Sequence, residues 1–177
     1  RGRLFIKPDM MYGHLRDFRD ETAAATLQAG SLCVVASHRF MVTGRRLPLL
    51  SIEEVRRRVD AGTALPGSPF GLITEFFKAL NDIGEGLLQE ASERVSAIES
   101  EVLKREGARY RGDILEIRRD SIQVARDMAY KRIAMLELAH ERPAPFPTDE
   151  FDSFNRQIHR YAALVEDAER LVDDARA

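Results

Sequence analysis

The chain has 177 residues, of which 44% are hydrophobic and 32% are charged, and this is enough apolar material for one ordinary domain with a real core. Its net charge of −2 and pI near 6.1 argue against a nucleic-acid binder that depends on phosphate contacts. No apolar run approaches the roughly 18–20 residues that span a bilayer, and neither a signal peptide nor an initiating Met is present. We expect both ends to be edges within a longer protein.

The first part of the chain alternates short apolar runs with turn-forming residues. Residues 3–7 predict a short strand, and residues 14–27 predict a helix that ends near Gly30. In such a helix three side chains would share a face at a spacing that can hold a divalent cation, although interleaved arginines favour an ordinary solvated face. These three are His14, Asp17 and Glu21.

The strongest strand signals lie at residues 31–37 and 39–44, which are short, rich in β-branched residues and separated by His38. They predict an antiparallel hairpin. The single cysteine, Cys33, lies in the first of these runs and has no partner for an internal disulfide. We therefore expect a reducing compartment and a Cys33 side chain buried in the core rather than acting as a nucleophile.

Three helices are predicted after the hairpin and before the final segment. Ser51 and Glu54 form a capping box that opens a helix over residues 52–61. Ser68 and Pro69 then start a long helix that runs to about Gly107. A second long helix spans about residues 109–141 and ends before a proline-rich connector.

The last segment, residues 148–177, predicts a helix with a marked start and no marked end. Pro147 and Thr148 suit a helix start, whereas no Gly, Asn or Pro closes the helix near Ala177. Its apolar residues recur at steps of three and four, the spacing of a coiled-coil seam. We expect this apolar seam to pack partly on the chain itself and partly against other copies. The predicted interface residues are Phe151, Phe154, Ile158, Tyr161, Val165 and Val172.

Beside the apolar seam lies a second register, which we call the polar row: Asp152, His159, Glu166 and Asp173 recur every seven residues. At 1.5 Å per residue neighbouring members stand roughly 10 Å apart, too far to share one ion within a chain. In a symmetric ring of such helices each member would become a ring of carboxylates or imidazoles that attracts cations. An ordinary solvated helix face gives the same pattern, so both interpretations stay open.

Together these elements predict an α+β fold. A small α/β unit with a mixed sheet occupies about residues 1–66, an antiparallel pair of long helices residues 68–147, and a stalk helix residues 148–177. The chain contains no phosphate-cradling glycine loop, nucleophile elbow or Cys/His zinc cluster. We therefore expect no enzyme and no organic cofactor.

The order and spacing of several segments resemble the cytoplasmic domain of the CorA family of divalent-cation transporters, including its zinc-transporting branch. The similarity covers about residues 31–177. The family's Gly-Met-Asn signature and its two membrane helices are missing from this chain. The segments that carry the resemblance are residues 40–45, 52–62, 95–103, 114–119 and 131–136, followed by the helix from Phe151.

This resemblance implies a metal-sensing domain of a homopentameric Mg²⁺ or Zn²⁺ transporter, on the cytoplasmic side of the cell membrane and joined to it by C-terminal helices absent here. Five stalks would line the ion path, and no nucleic acid would take part. The resemblance also implies a regulatory metal site between neighbouring subunits, for which Asp152 is the nearest match. The alternative is a soluble coiled-coil module that binds other proteins without transport. The choice of ion and the direction of transport do not follow from the sequence.

Overall fold

The computed structural model describes residues 3–19, 28–102, 111–144 and 146–174. Four strands precede four helices, and the fold class predicted from sequence is confirmed. The elements are β1 (Arg3–Ile6), β2 (Met10–Phe18), β3 (Ala29–Ser37), β4 (Met41–Arg45), α1 (Leu50–Asp60), α2 (Pro69–Val102), α3 (Arg111–His140) and α4 (Thr148–Asp174).

The strands form one sheet in the order β1-β2-β3-β4. Every neighbouring pair is antiparallel, so the prediction of a mixed sheet is wrong, because consecutive strands joined by short connections pair antiparallel. The predicted first strand and the predicted hairpin, now β3 and β4, are confirmed. Alternate residues of β3 point toward the helices, where Leu32, Val34 and Ala36 are buried. The sheet therefore has one face that packs on the helices and one that is largely exposed.

The predicted helix over residues 14–27 is wrong where the structure describes it, because β2 extends to Phe18. All nine residues of this strand pair with β3, from Met10 opposite Ser37 to Phe18 opposite Ala29. This pairing partner is distant in sequence and outweighs the local helical pattern. The proposed cation-binding face fails with it, since Asp17 is buried and His14 exposed, and Glu21 lies outside the described residues.

The prediction for Cys33 is also wrong, because its side chain is exposed. It lies on the outer face of β3 opposite His14 of β2, and the Cys33 Sγ is 3.2 Å from the His14 Nδ1. Periodicity within a short apolar run does not say which alternate set of side chains faces the core.

Helix α1 begins two residues earlier than predicted, and Ser51 does not cap it. The N-cap residue is Leu49, which offers no side-chain acceptor. The Asp17 carboxylate of β2 fills this role, because its Oδ2 accepts from the Ser51 amide at 3.2 Å and from the Ser51 hydroxyl at 2.5 Å. A buried strand carboxylate thus satisfies the positive end of the helix.

The helical half agrees with the sequence prediction. Ser68 caps α2 by accepting from the Gly71 amide at 3.0 Å, and no strand follows β4 in the described ranges. The three long helices have 34, 30 and 27 residues, and α4 runs to Asp174, the last described residue. Residues 103–110 and 175–177, where the sequence predicts the end of α2 and the last turn of α4, lie outside the described residues.

One buried apolar cluster runs from the sheet through all three long helices. Its centre is aromatic: the ring of Phe154 on α4 lies 5.5 Å from that of Phe77 on α2 and 6.0 Å from that of Phe146. Such ring contacts add to the stabilisation from buried area. Helix α4 is therefore an integral part of the chain's own core.

Candidate functional site

Helix α4 turns its apolar seam inward, against α2 and α3 of the same chain. Four of the six predicted interface residues are buried there, and Phe151 and Ile158 are partly buried against the same cluster. The seam is therefore largely occupied within one chain, and its use between copies remains a prediction. The four buried members are Phe154, Tyr161, Val165 and Val172.

Polar contacts fix α4 lengthwise on α2. The Asn81 side-chain amide donates to the backbone and side-chain oxygens of Gln157 at 3.2 and 3.0 Å. The Asp82 carboxylate accepts from Arg160 of α4 and, at 2.5 Å, from Arg58 of α1. One carboxylate on α2 therefore holds both neighbouring helices in register.

The polar row lies on the opposite side of α4, and all four of its members are exposed. The inward seam and the outward row are thus two faces of one amphipathic helix. Neighbouring members of the row are seven residues apart in the sequence. They therefore lie about 10 Å apart along the helix and point in similar directions. Among the described residues, no three His, Cys, Asp or Glu side chains lie close enough to hold a metal ion.

A cluster of buried charged groups, which was not predicted from the sequence, joins the sheet to α3. Lys131 is only 2% exposed, and its Nζ lies 4.0 Å above the ring of Phe18. Asp17 and Asp127 are equally buried, and Arg16 reaches Asp127 at 2.9 Å. The available signal was that Lys131 falls in the three-and-four stripe of buried α3 residues.

Burial controls the protonation of this cluster. It lowers the pKa of Lys131 from 10.5 to about 8, because desolvation disfavours the charged ammonium more than the carboxylates of Asp17 and Asp127 favour it. Burial, together with the same two carboxylates, raises the pKa of Tyr161 on α4 well above its ordinary value. The sheet, α3 and α4 therefore meet at one electrostatically coupled point.

The fold formed by the sheet, the helix pair and α4 is shared with several proteins of known structure. The full-length CmaX protein aligns over 99% of this chain and 54% of its own, with 22% identity and a TM-score of 0.86. The ZntB cytoplasmic domain from Vibrio parahaemolyticus aligns over 99% and 69%, with 15% identity and a TM-score of 0.83. The soluble domain of CorA from Methanocaldococcus jannaschii aligns over 98% and 70%, with 12% identity and a TM-score of 0.82.

Residues 6–177 match the family model described as CorA-like Mg²⁺ transporter protein, so the chain belongs to the CorA family. The comparison with curated proteins gave no match. The chain spans about half the length of full-length CmaX. In the described residues no helix combines the length and the apolar character needed to cross a membrane.

Proposed function

We propose that this chain is the cytoplasmic domain of a CorA-like divalent-cation transporter that works as a homopentamer at the cell membrane. Membership of the CorA family and the fold shared with the CorA and ZntB domains support this proposal. In this arrangement α4 continues as the stalk toward the membrane, and five copies of it surround the ion path.

The observation that carries the proposal is the division of α4 into two faces. Its apolar seam is used within the chain, while the polar row is fully outward and regularly spaced. Repeated by a symmetry axis, the row becomes four stacked rings, three of carboxylates and one of imidazoles. Such rings concentrate cations in an aqueous path without closing a cage around them.

The donors also limit the ions that suit this path. Carboxylates such as Asp152, Glu166 and Asp173 hold Mg²⁺ mainly through its own water molecules. The imidazole of His159 suits a softer ion such as Zn²⁺. We further propose that Asp152 contributes to a regulatory cation site shared with a carboxylate of the neighbouring subunit. Sensing would then depend on assembly, because one copy supplies half of the site.

Thermal unfolding in EDTA, Mg²⁺ and Zn²⁺ tests this function. Binding to the folded assembly raises its stability by RT ln(1 + [L]/Kd), so the melting temperature should rise with millimolar Mg²⁺. Asp152→Asn should reduce the rise, because the amide keeps the shape and loses the charge. The control Asp60→Asn removes another exposed carboxylate, on α1, and should leave the rise intact.

Two outcomes separate the alternatives. A rise that depends on His159 but not on Asp152 would favour zinc. Identical melting curves in all three conditions would reject a cation-sensing role and favour the protein-binding module.

A further inference from the structure

Helix α3 has an outward face of unusual composition. Leu115, Ile133 and Leu136 are 64%, 54% and 45% exposed, although each is a large apolar side chain. Among the α3 side chains that the structure describes, the exposed charged ones are all arginines: Arg119, Arg126 and Arg132. A solvated helix face ordinarily mixes both signs of charge and few large apolar groups.

These residues form a continuous strip along the helix. Counting from Leu115, the exposed or half-exposed positions advance by steps of four and three, the spacing of a helix-packing seam. Near its start the strip borders a groove of about 360 Å³. We call it the α3 strip; its members are Leu115, Arg119, Ile122, Arg126, Ala129, Ile133 and Leu136.

The outward side of α4 has the complementary charge. Beside the polar row, Asp167 and Glu169 are exposed on either side of Glu166. Arg170 contacts Asp167, so the acidic surface there is only partly neutralised. The arginines of the α3 strip are therefore complementary in charge to this part of α4.

The two surfaces also lie at the same height in the bundle. Arg94 of α2 contacts Asp120 of α3 at 4.0 Å, and Glu85 of α2 contacts Arg160 of α4. Because each helix rises 1.5 Å per residue, the level of Asp120 is about that of Glu169. Copies arranged around a common axis would thus bring the arginines of one α3 level with the acidic part of the next α4.

We propose that the α3 strip binds the side of α4, next to its polar row, in a second copy of this chain. The contact joins two different surfaces, so it is heterologous, and repetition of such a contact closes a ring when the rotation allows. It rests on the homo-oligomer of the proposed function and adds the surfaces that join its copies. Contact through Asp167 or Glu169 uses the side of α4 and leaves the polar row facing the axis.

Charge reversal followed by charge exchange tests the contact. Sedimentation velocity in EDTA and low salt should show concentration-dependent association of the wild-type chain. Arg119→Glu with Arg126→Glu should raise the dissociation constant by about tenfold or more, and so should Asp167→Arg with Glu169→Arg. The four changes together should restore association toward the wild-type value, because attraction returns with its sign exchanged.

The control is Arg39→Glu with Arg46→Glu, which makes the same change in net charge on the exposed β4 side of the molecule. It should associate like the wild type. Ile133→Ser with Leu136→Ser should also weaken association, and circular dichroism checks that each variant keeps its helices. A wild-type chain that stays monomeric, or a four-change variant that does not recover, overturns the proposal. Since EDTA removes divalent cations, this result is independent of the melts in Mg²⁺ and Zn²⁺ that test the proposed function.

Discussion

Replacing the buried Lys131 by Met should remove a rise in stability between pH 8 and 10. The lysine is buried between the sheet and α3, and its pKa is lowered from 10.5 to about 8. In the unfolded chain the same group keeps its proton up to about pH 10.5. Between these values the unfolded state binds more protons than the folded state, so the free energy of unfolding increases with pH.

The size of the effect follows from the shift. One pKa unit is worth about 1.4 kcal/mol, so keeping Lys131 charged costs the folded protein about 3 kcal/mol below pH 8. This cost decreases as the pH rises above 8, because Lys131 loses its proton in the folded protein. Above pH 10 the raised pKa of Tyr161 acts in the opposite direction, because the unfolded tyrosine loses its proton first. The observable gain is therefore about 2–3 kcal/mol, confined to pH 8–10.

Urea unfolding at intervals from pH 7 to 10 measures this gain. The wild type should gain stability across the range relative to Lys131→Met, in which the titrating group is gone. Lys78→Met is the matched control, since it removes a half-exposed lysine and should keep the wild-type slope. The absolute stability of Lys131→Met at pH 7 is less informative, because the change also leaves Asp17 and Asp127 with less positive charge nearby. Parallel pH profiles for the wild type and Lys131→Met would refute the reasoning.

Two further predictions concern the attachment of α4. Gly71→Ala should lower the free energy of unfolding by about 1–3 kcal/mol, because a Cβ there would lie 2.3 Å from Pro66 and 2.6 Å from the Glu150 carboxylate. Gly86→Ala in the same helix is the control. Its Cβ would meet nothing within 4 Å, so this change should raise the free energy of unfolding by about 0.5–1 kcal/mol. A Gly71→Ala variant as stable as the wild type would contradict the close approach of α4 to α2. Asp82→Asn should lower the free energy of unfolding by about 1–3 kcal/mol, because the Asp82 carboxylate pairs with arginines of two helices. Chemical denaturation measures this loss, which should be smaller in high salt.

The long helices were predictable because their signals are local. Three-and-four spacing, the cap at Ser68 and the prolines around residue 147 are each written in a few neighbouring residues. The errors arose where a distant residue decides the structure. Residues 14–18 form a strand because β3 pairs with them, and Ser51 donates to Asp17 from another element. No window of neighbouring residues contains either partner.

Burial on α3 was only partly predictable for a related reason. This helix is apolar on more than one side, so its spacing does not distinguish Met128, which is buried, from Ile133, which is exposed. Lys131 shows the converse case, a charged residue at a core position. Periodicity assigns the helix, whereas the faces are assigned by the elements packed against it.

The polar row was predictable because a seven-residue repeat is a property of one helix, and the structure shows that all four of its members are exposed. Helix α4 satisfies its apolar face within the chain and is fixed in register by Asn81 and Asp82. The α3 strip also faces away from the chain's core, and its arginines carry the opposite charge to the carboxylates of α4. Two outward helix surfaces of opposite charge at one height are what the proposed contact between copies requires.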